Sequence, residues 1–120
     1  MAGELATALQ DANEITITVT GRVTGRQISV PVWFVADDGK VYLLPVHGSD
    51  SDWYKNTVRN PAMQLTADGA SLTATATPIT EPAAVTSVVE KFRAKYGADQ
   101  IAAYYPKTDV AEEVDVPDQA

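Results

Sequence analysis

Hydrophobic and polar residues alternate near the start of the chain, where Ile15, Ile17 and Val19 are separated by threonines. Alternation with a period of two, carried by β-branched residues, predicts a strand with one buried face. The mostly apolar run at residues 27–36 predicts a second strand that is buried on both faces over part of its length. Pro31 lies inside this run and lacks a backbone N–H, which indicates a sheet edge or a bulge.

Short hairpins connect the predicted strands. Two glycines within residues 21–26 supply the positive φ angles of a tight turn between the first two strands. The Asp-Gly pair at residues 38–39 is typical of a two-residue hairpin, and Asp68-Gly69 repeats the signal. Strands are predicted at residues 14–20, 27–36, 41–44, 63–66 and 71–79, with a final strand around Val110, Val114 and Val116.

Three helices are predicted from capping and stop residues. The first covers residues 52–59, begins after serine and aspartate cap residues, and ends at Asn60-Pro61. The main helix covers residues 81–96, with a proline in its first turn, apolar residues at i, i+3, i+4 and i+7, and a glycine after its end. A third helix, at residues 98–105, is stopped by Pro106.

The order of these elements, with hairpin-type links, excludes a doubly wound parallel sheet. It predicts a mainly β (α+β) fold, a small antiparallel barrel of about six strands covered by two or three helices. A chain of 120 residues suffices for one compact domain and is too short for two, so residues 1–120 are interpreted as a single domain. We expect about residues 1–12 and 117–120 to be frayed.

Charge and composition exclude several classes of function. Nine basic residues against sixteen acidic ones give a formal charge of -7, whereas nucleic-acid binding needs a dense basic face, so no nucleic-acid partner is expected. The chain has no cysteine and one histidine, which argues against a disulfide, a thiolate nucleophile and a metal site. Redox chemistry would therefore need a bound cofactor. The N-terminal segment is not leader-like and no long apolar run follows, so we expect a cytoplasmic protein without membrane insertion.

The acidic residues are unevenly distributed. Up to residue 107, nine basic side chains stand against eleven acidic ones, so the body of the chain is close to balance and can offer a local basic pocket to a small anion. The charge run that follows is interpreted as the solvated face of a terminal strand or tail. Its members are Asp109, Glu112, Glu113 and Asp115.

Two ordered motifs resemble a known family. A Gly-Arg-x-Thr-Gly hairpin at residues 21–25 precedes Pro31-Val32, and a Trp-Tyr-x-Asn segment at residues 53–56 precedes Asn60-Pro61. In order and spacing they are similar to the deazaflavin-dependent nitroreductase family of actinobacteria. That family lies within the split β-barrel superfamily that also includes pyridoxamine phosphate oxidase. The resemblance covers about residues 18–76, half of the chain.

The resemblance implies a split β-barrel homodimer that binds a reduced deazaflavin, coenzyme F-420, or FMN as the second choice, and passes a hydride to a small electron-poor acceptor. It also implies cofactor contacts from the first hairpin, the second strand, the loop after the third strand and the first helix. The residues nominated are Arg22, Thr24, Arg26, Pro31, Val32, Trp33, His47, Gly48, Trp53 and Asn56. Relatives usually carry basic residues where this chain has Val23, Ile28 and His47.

Several of these residues also have a structural interpretation. Arg22 and Arg26 can bind an anion together with the N–H groups of a glycine turn, or they can be solvated hairpin arginines. His47 can donate to a phosphate or close its loop. Trp33 and Trp53 can anchor the core instead of contacting a cofactor.

Two tyrosines are the candidates for chemistry. Tyr104 and Tyr105 can line an acceptor pocket, with one hydroxyl as the proton donor, or they can pack in the core. Adjacent residues of a helix point about 100° apart, so only one of them is expected to face a cleft. Two functions remain open: a cofactor-dependent oxidoreductase with a small-molecule substrate, and a non-catalytic module that binds a cofactor or small ligand on the same barrel.

Overall fold

The computed structural model describes residues 8–9, 12–37 and 39–116, and these form a curled half-barrel sheet with helices packed on it. The strands are β1 Ile15–Thr20, β2 Gln27–Val32, β3 Phe34–Asp37, β4 Lys40–Leu43, β5 Ala62–Ala67, β6 Ala70–Ile79 and β7 Ala111–Asp115. All neighbours pair antiparallel, in the order β2-β1-β5-β6-β7-β4-β3. This confirms the predicted antiparallel split-barrel fold. Most of the termini predicted to be frayed lie outside the described residues.

Strand pairing confirms two of the predicted hairpins. Asp37 opposes Lys40, so the link between β3 and β4 spans two residues. Ala67 opposes Ala70 in the same way between β5 and β6. The turn residue Asp38 itself lies outside the described residues.

The strand predicted at residues 27–36 is divided in two at Trp33. β2 pairs with β1 at one edge of the sheet, and β3 pairs with β4 at the other, so the barrel is split between these two strands. Pro31 lies on the edge strand β2. Among the described residues this strand has no neighbour on its outer side, so a proline can be accommodated there without losing a hydrogen bond to another strand. The burial on both faces that was expected over part of this run holds at Phe34 and Val35 of β3. It does not extend to β2, because an edge strand has one neighbour and leaves Ile28 41% exposed.

The helices follow the predicted bounds to within one residue. They are α1 Asp52–Arg59, α2 Pro82–Tyr96 and α3 Ala98–Tyr104, and a short 3-10 turn covers Gly48–Asp50. At the start of α2, the side chain of Glu81 accepts a hydrogen bond from an N–H of the first turn. Capping and stop residues are local signals, which is why these bounds could be predicted.

Two hydrophobic cores lie on the two faces of the sheet, because neighbouring residues such as Phe34 and Val35 point to opposite sides of β3. The barrel core contains the inward residues of β1, β5 and β7 together with Trp53 of α1. The second core packs α2 and α3 against β3 and β4, with Phe92 fully buried in it. The edges of both cores meet near Trp33.

The interpretation of the terminal charge run as a solvated face is wrong for one member. Glu112 lies on β7 and is fully buried, with 0% of its surface exposed. Val110 and Val114 are buried as well, so a period of two through this strand places Glu112 on the inward face between them.

Candidate functional site

A cleft of about 590 Å³ opens where the two cores meet at the split in the barrel. Its volume is typical of a small-molecule site. It is lined by Ile28, Val30, Pro31, Val32, Trp33, Leu44, Val46, His47, Ser51, Asp52, Trp53, Asn56, Tyr104 and Tyr105. We call it the aromatic cleft, because both tryptophans of the chain and two of its tyrosines line it.

Trp33 is fixed in the wall of the cleft by other aromatic rings. Its indole stacks on Tyr96, with ring centroids 4.4 Å apart and an interplanar angle of 10°. The ring of Tyr104 meets it edge-on at 5.6 Å. The Tyr96 hydroxyl accepts a hydrogen bond from the N–H of Phe34, which ties this cluster to the start of β3. The break between β2 and β3 is therefore what brings an indole to the cleft.

Both candidate tyrosines line the cleft, although only one was expected to. Tyr104 is the last residue of α3, but Tyr105 follows the helix with φ -123° and ψ 81°, so the angle between adjacent helical residues does not apply to it. Tyr104 is 57% exposed, whereas Tyr105 is buried and its ring contacts Phe92. Burial raises the pKa of Tyr105 well above its ordinary value.

Helix α1 forms the opposite wall with Trp53 and Asn56. Trp53 is anchored in the barrel core and also lines the cleft. Asn56 is buried, and its Oδ1 accepts hydrogen bonds from the N–H of Arg22 at 3.1 Å and from Arg22 Nη1 at 2.7 Å. Arg22 also lies 3.5 Å from the carboxylate of Asp52. The first hairpin is thus held against α1.

The first hairpin closes on itself. Gly21 and Gly25 form its main-chain hydrogen bonds, and Gly25 has φ 75°, a conformation that favours glycine. The hydroxyl of Thr24 accepts a hydrogen bond from the N–H of Arg26. Within the described residues, Arg22, Thr24 and Arg26 stay outside the cleft lining.

The loop after β4 brings His47 to the cleft and holds Gly48 behind it. The N–H of His47 donates to the Ser51 hydroxyl, and the N–H of Gly48 donates to the carbonyl of Pro45. Gly48 has φ 57° and is buried. Next to it, the N–H and hydroxyl of Ser49 both donate to the carboxylate of Asp109.

The structure brings eight of the twelve nominated residues to one cleft. These are Pro31, Val32, Trp33, His47, Trp53, Asn56, Tyr104 and Tyr105. The nominated residues outside the lining, Arg22, Thr24, Arg26 and Gly48, hold the hairpin and the loop behind it. Sequence reasoning missed the other six lining residues, which are Ile28, Val30, Leu44, Val46, Ser51 and Asp52. Their only signal was their position within or next to predicted strands and the first helix.

Exposed apolar side chains gather at the cleft. Five large hydrophobic residues of the described chain are exposed: Val23, Ile28, Val46, Val58 and Tyr104. Three of them, Ile28, Val46 and Tyr104, line the cleft. Apolar surface that is left open beside a concave site is characteristic of ligand and protein contacts.

Of the helices in the described residues, none has both the length and the apolar character required to span a membrane. No curated protein sequence matches the chain.

Solved structures share the fold. A reductase dependent on reduced coenzyme F-420 is 24% identical, with a TM-score of 0.68 over 86% of this chain and 94% of its own. HutZ, the haem storage protein from Vibrio cholerae, is 14% identical, with a TM-score of 0.71 over 98% of this chain and 89% of its own. A structure described as a domain-swapped dimer is 24% identical, with a TM-score of 0.69 over 88% of this chain and 81% of its own. At these identities the similarity establishes the fold alone.

One family model matches residues 5–114, which is nearly the whole chain. The chain therefore belongs to the family described as an uncharacterized protein conserved in bacteria, DUF2255.

Proposed function

We propose that the chain is an oxidoreductase whose aromatic cleft binds the ring of a deazaflavin, as in coenzyme F-420, or of a flavin, as in FMN. The observation that carries the proposal is a cleft of about 590 Å³ with Trp33 and Trp53 in its walls. Aromatic walls favour a planar heterocycle, because stacking on an aromatic side chain contributes about 0.5–1.5 kcal/mol beyond the area it buries. A small electron-poor acceptor would be the substrate.

A bound deazaflavin or flavin supplies the hydride chemistry. The chain supplies orientation and shelter from water, through apolar residues such as Val30 and Leu44 in the lining. Oδ1 of Asn56 already accepts a hydrogen bond from Arg22. The side chain can therefore offer its amide N–H as a donor to a carbonyl of the ring. Tyr105 keeps its proton at neutral pH, because burial raises its pKa, and its hydroxyl can donate a hydrogen bond to an acceptor.

A homodimer is part of the proposal. The cleft is open, and the apolar side chains of Ile28, Val46 and Tyr104 remain exposed along it. A second copy of the chain would cover these side chains and close the site. A cytoplasmic location stays a prediction from the sequence.

Binding can be tested with the chain's own fluorescence, because both of its tryptophans line the cleft. Coenzyme F-420, FMN and riboflavin are titrated separately, and quenching of tryptophan emission is measured against a matched solution of free tryptophan, which corrects for absorption by the ligand. At least one ring compound should quench with a Kd in the micromolar range. Trp53→Phe should weaken that binding. If none of the three compounds quenches beyond the control, the proposal is wrong.

Turnover needs a separate measurement. Reduced ligand and a nitroaromatic acceptor are mixed without oxygen, and oxidation of the ligand is followed with and without the protein. Tyr105→Phe should slow the reaction while leaving the Kd of the ligand nearly unchanged.

A second function, a non-catalytic binding module, is favoured by the burial of the Tyr105 hydroxyl. A hydroxyl whose pKa is raised by burial is a poor proton donor, so the cleft can hold a ring without promoting its reaction. Binding without any acceleration of turnover would select this function. Haemin is included as a ligand in the same titration, because a haem storage protein shares the fold.

A further inference from the structure

The charges around the aromatic cleft do not suit a phosphate group. All nine lysine and arginine residues lie in the described part of the chain, and none of them lines the cleft. Asp52 does line it, and the side chain of Asp52 is 88% exposed. A phosphate monoester carries a charge of about -1.5 to -2 at neutral pH. A phosphorylated ligand therefore meets a like charge in the lining, and no lysine or arginine of the lining stands opposite it.

The side chain of Arg22 comes close to the cleft wall but is already occupied. Its Nη1 donates to Asn56 Oδ1 at 2.7 Å, and its Nη2 lies 3.5 Å from the carboxylate of Asp52. A phosphate bound by Nη1 or Nη2 would have to compete with these partners, although the N–H of Arg22 would still hold the hairpin to α1 through Asn56 Oδ1. Much of what an arginine contributes to phosphate binding would be lost in that exchange.

In the loop behind His47, both donors of Ser49 are already used by the chain's own Asp109 carboxylate. Asp109 accepts from the N–H of Ser49 at 3.0 Å and from its hydroxyl at 2.6 Å. A Cβ placed on Gly48 would collide with Asp109 Oδ1, so the carboxylate packs directly against the glycine. Burial by itself would raise the pKa of Asp109, but the hydrogen bonds from Ser49 hold that pKa below its ordinary value.

We propose that the aromatic cleft selects uncharged planar aromatic heterocycles over their phosphate esters. This inference rests on the proposed function, since it assumes that a ring occupies the cleft, and it narrows the ligand to the form without a phosphate. The selection follows from Asp52 in the lining and from internal partners on Arg22 and Ser49.

Riboflavin and FMN provide the direct test, because they share one ring system and differ by a single phosphate. Binding of each to the full chain is measured by equilibrium dialysis at low salt. We expect the Kd of FMN to exceed that of riboflavin by about tenfold or more. The ratio should shrink toward one as salt is raised to about 0.5 M, because repulsion between exposed charges is screened.

The variant Asp52→Asn tests the cause of the selection. It removes the carboxylate from the lining and leaves the charge of Arg22 uncompensated, so the Kd of FMN should fall about three- to tenfold. The Kd of riboflavin should stay within about twofold of that of the parent. Asp68→Asn, in the turn between β5 and β6 and outside the lining, changes the net charge equally and should leave both Kd values unchanged.

The possible results separate this inference from the function on which it rests. If FMN binds the parent as tightly as riboflavin does, the selection is overturned and the ring-binding function stands. If Asp52→Asn leaves the ratio of the two Kd values unchanged, the electrostatic cause is overturned. If neither compound binds with a Kd below about 100 µM, the proposed function is overturned together with this inference.

Discussion

The hydroxyl of Thr57 lies 2.5 Å from Oε2 of Glu112 and 3.0 Å from the carbonyl of Tyr54, with both side chains buried between α1 and β7. A threonine hydroxyl has one hydrogen and cannot donate to two acceptors. Both contacts are satisfied when Glu112 carries a proton and donates to Thr57, which then donates to Tyr54. Oε1 of Glu112 has no partner, which also favours the uncharged acid.

We predict that the carboxyl of Glu112 makes stability depend on pH. Burial raises its pKa from 4.5 to about 7, so between these values the folded chain binds more protons than the unfolded chain. The free energy of unfolding therefore falls as the pH rises through this window, by about 3 kcal/mol in all. Glu112→Gln should remove this loss, making the variant more stable than the parent at pH 8 and similar to it near pH 4.5. Urea unfolding of both proteins at several pH values measures these free energies.

The matched control is Glu113→Gln, which changes the same charge on the neighbouring residue of β7. Glu113 pairs with Lys40 at the surface, so the free energy of unfolding of this variant should depend on pH as that of the parent does. Parallel curves for Glu112→Gln and the parent would contradict a protonated Glu112.

The fold could be predicted because its signals are local. Alternation in β1, the Asp-Gly turn before β6 and the caps of α1 each depend on residues within a few positions of one another. Glu112 shows the limit of that reasoning. Its neighbours in sequence form an acidic run, and only the period of two through Val110 and Val114 indicates that it points inward.

The site could be predicted only in part, because its contacts join distant segments. Trp33 and Tyr105 meet in the second core with ring centroids 6.1 Å apart, and no sequence pattern in either segment predicts the contact. The resemblance in the first hairpin suggested that Arg22 binds an anion, but its partners are Asn56 and Asp52, about thirty residues later in the chain. Such internal partners become visible only when the elements are packed together.

Asn56→Ala should destabilise the chain by about 2–3 kcal/mol. The change removes the acceptor for two hydrogen bonds and leaves the N–H and the guanidinium of Arg22 without it at a partly buried site. Asn56→Asp keeps an acceptor facing Arg22 and should lose less. Urea unfolding followed by circular dichroism gives both values. An alanine variant as stable as the parent would show that the hairpin is not held through Asn56.

Gly48→Ala should be far more costly than Gly25→Ala. Both glycines have positive φ, 57° and 75°, which alone costs an alanine about 1 kcal/mol. At Gly25 a new Cβ meets nothing within 4 Å, whereas at Gly48 it collides with Asp109 Oδ1. We expect a loss of about 1 kcal/mol at Gly25 and about 2–4 kcal/mol at Gly48, measured by urea unfolding. Equal losses would contradict close packing of Asp109 on this loop.

If a second copy of the chain covers the cleft, lysine substitutions at two exposed apolar residues should affect dimer formation differently. Ile28 lies in the cleft lining, whereas Val58, on α1, lies outside it, and both are exposed in the described chain. In sedimentation at micromolar concentration, the parent should run at about twice its mass of 12.8 kDa. Ile28→Lys should shift it to the monomer, because burying an unpaired ammonium in the interface is unfavourable. Val58→Lys should leave the dimer intact, and an equal effect of the two variants would place the interface elsewhere.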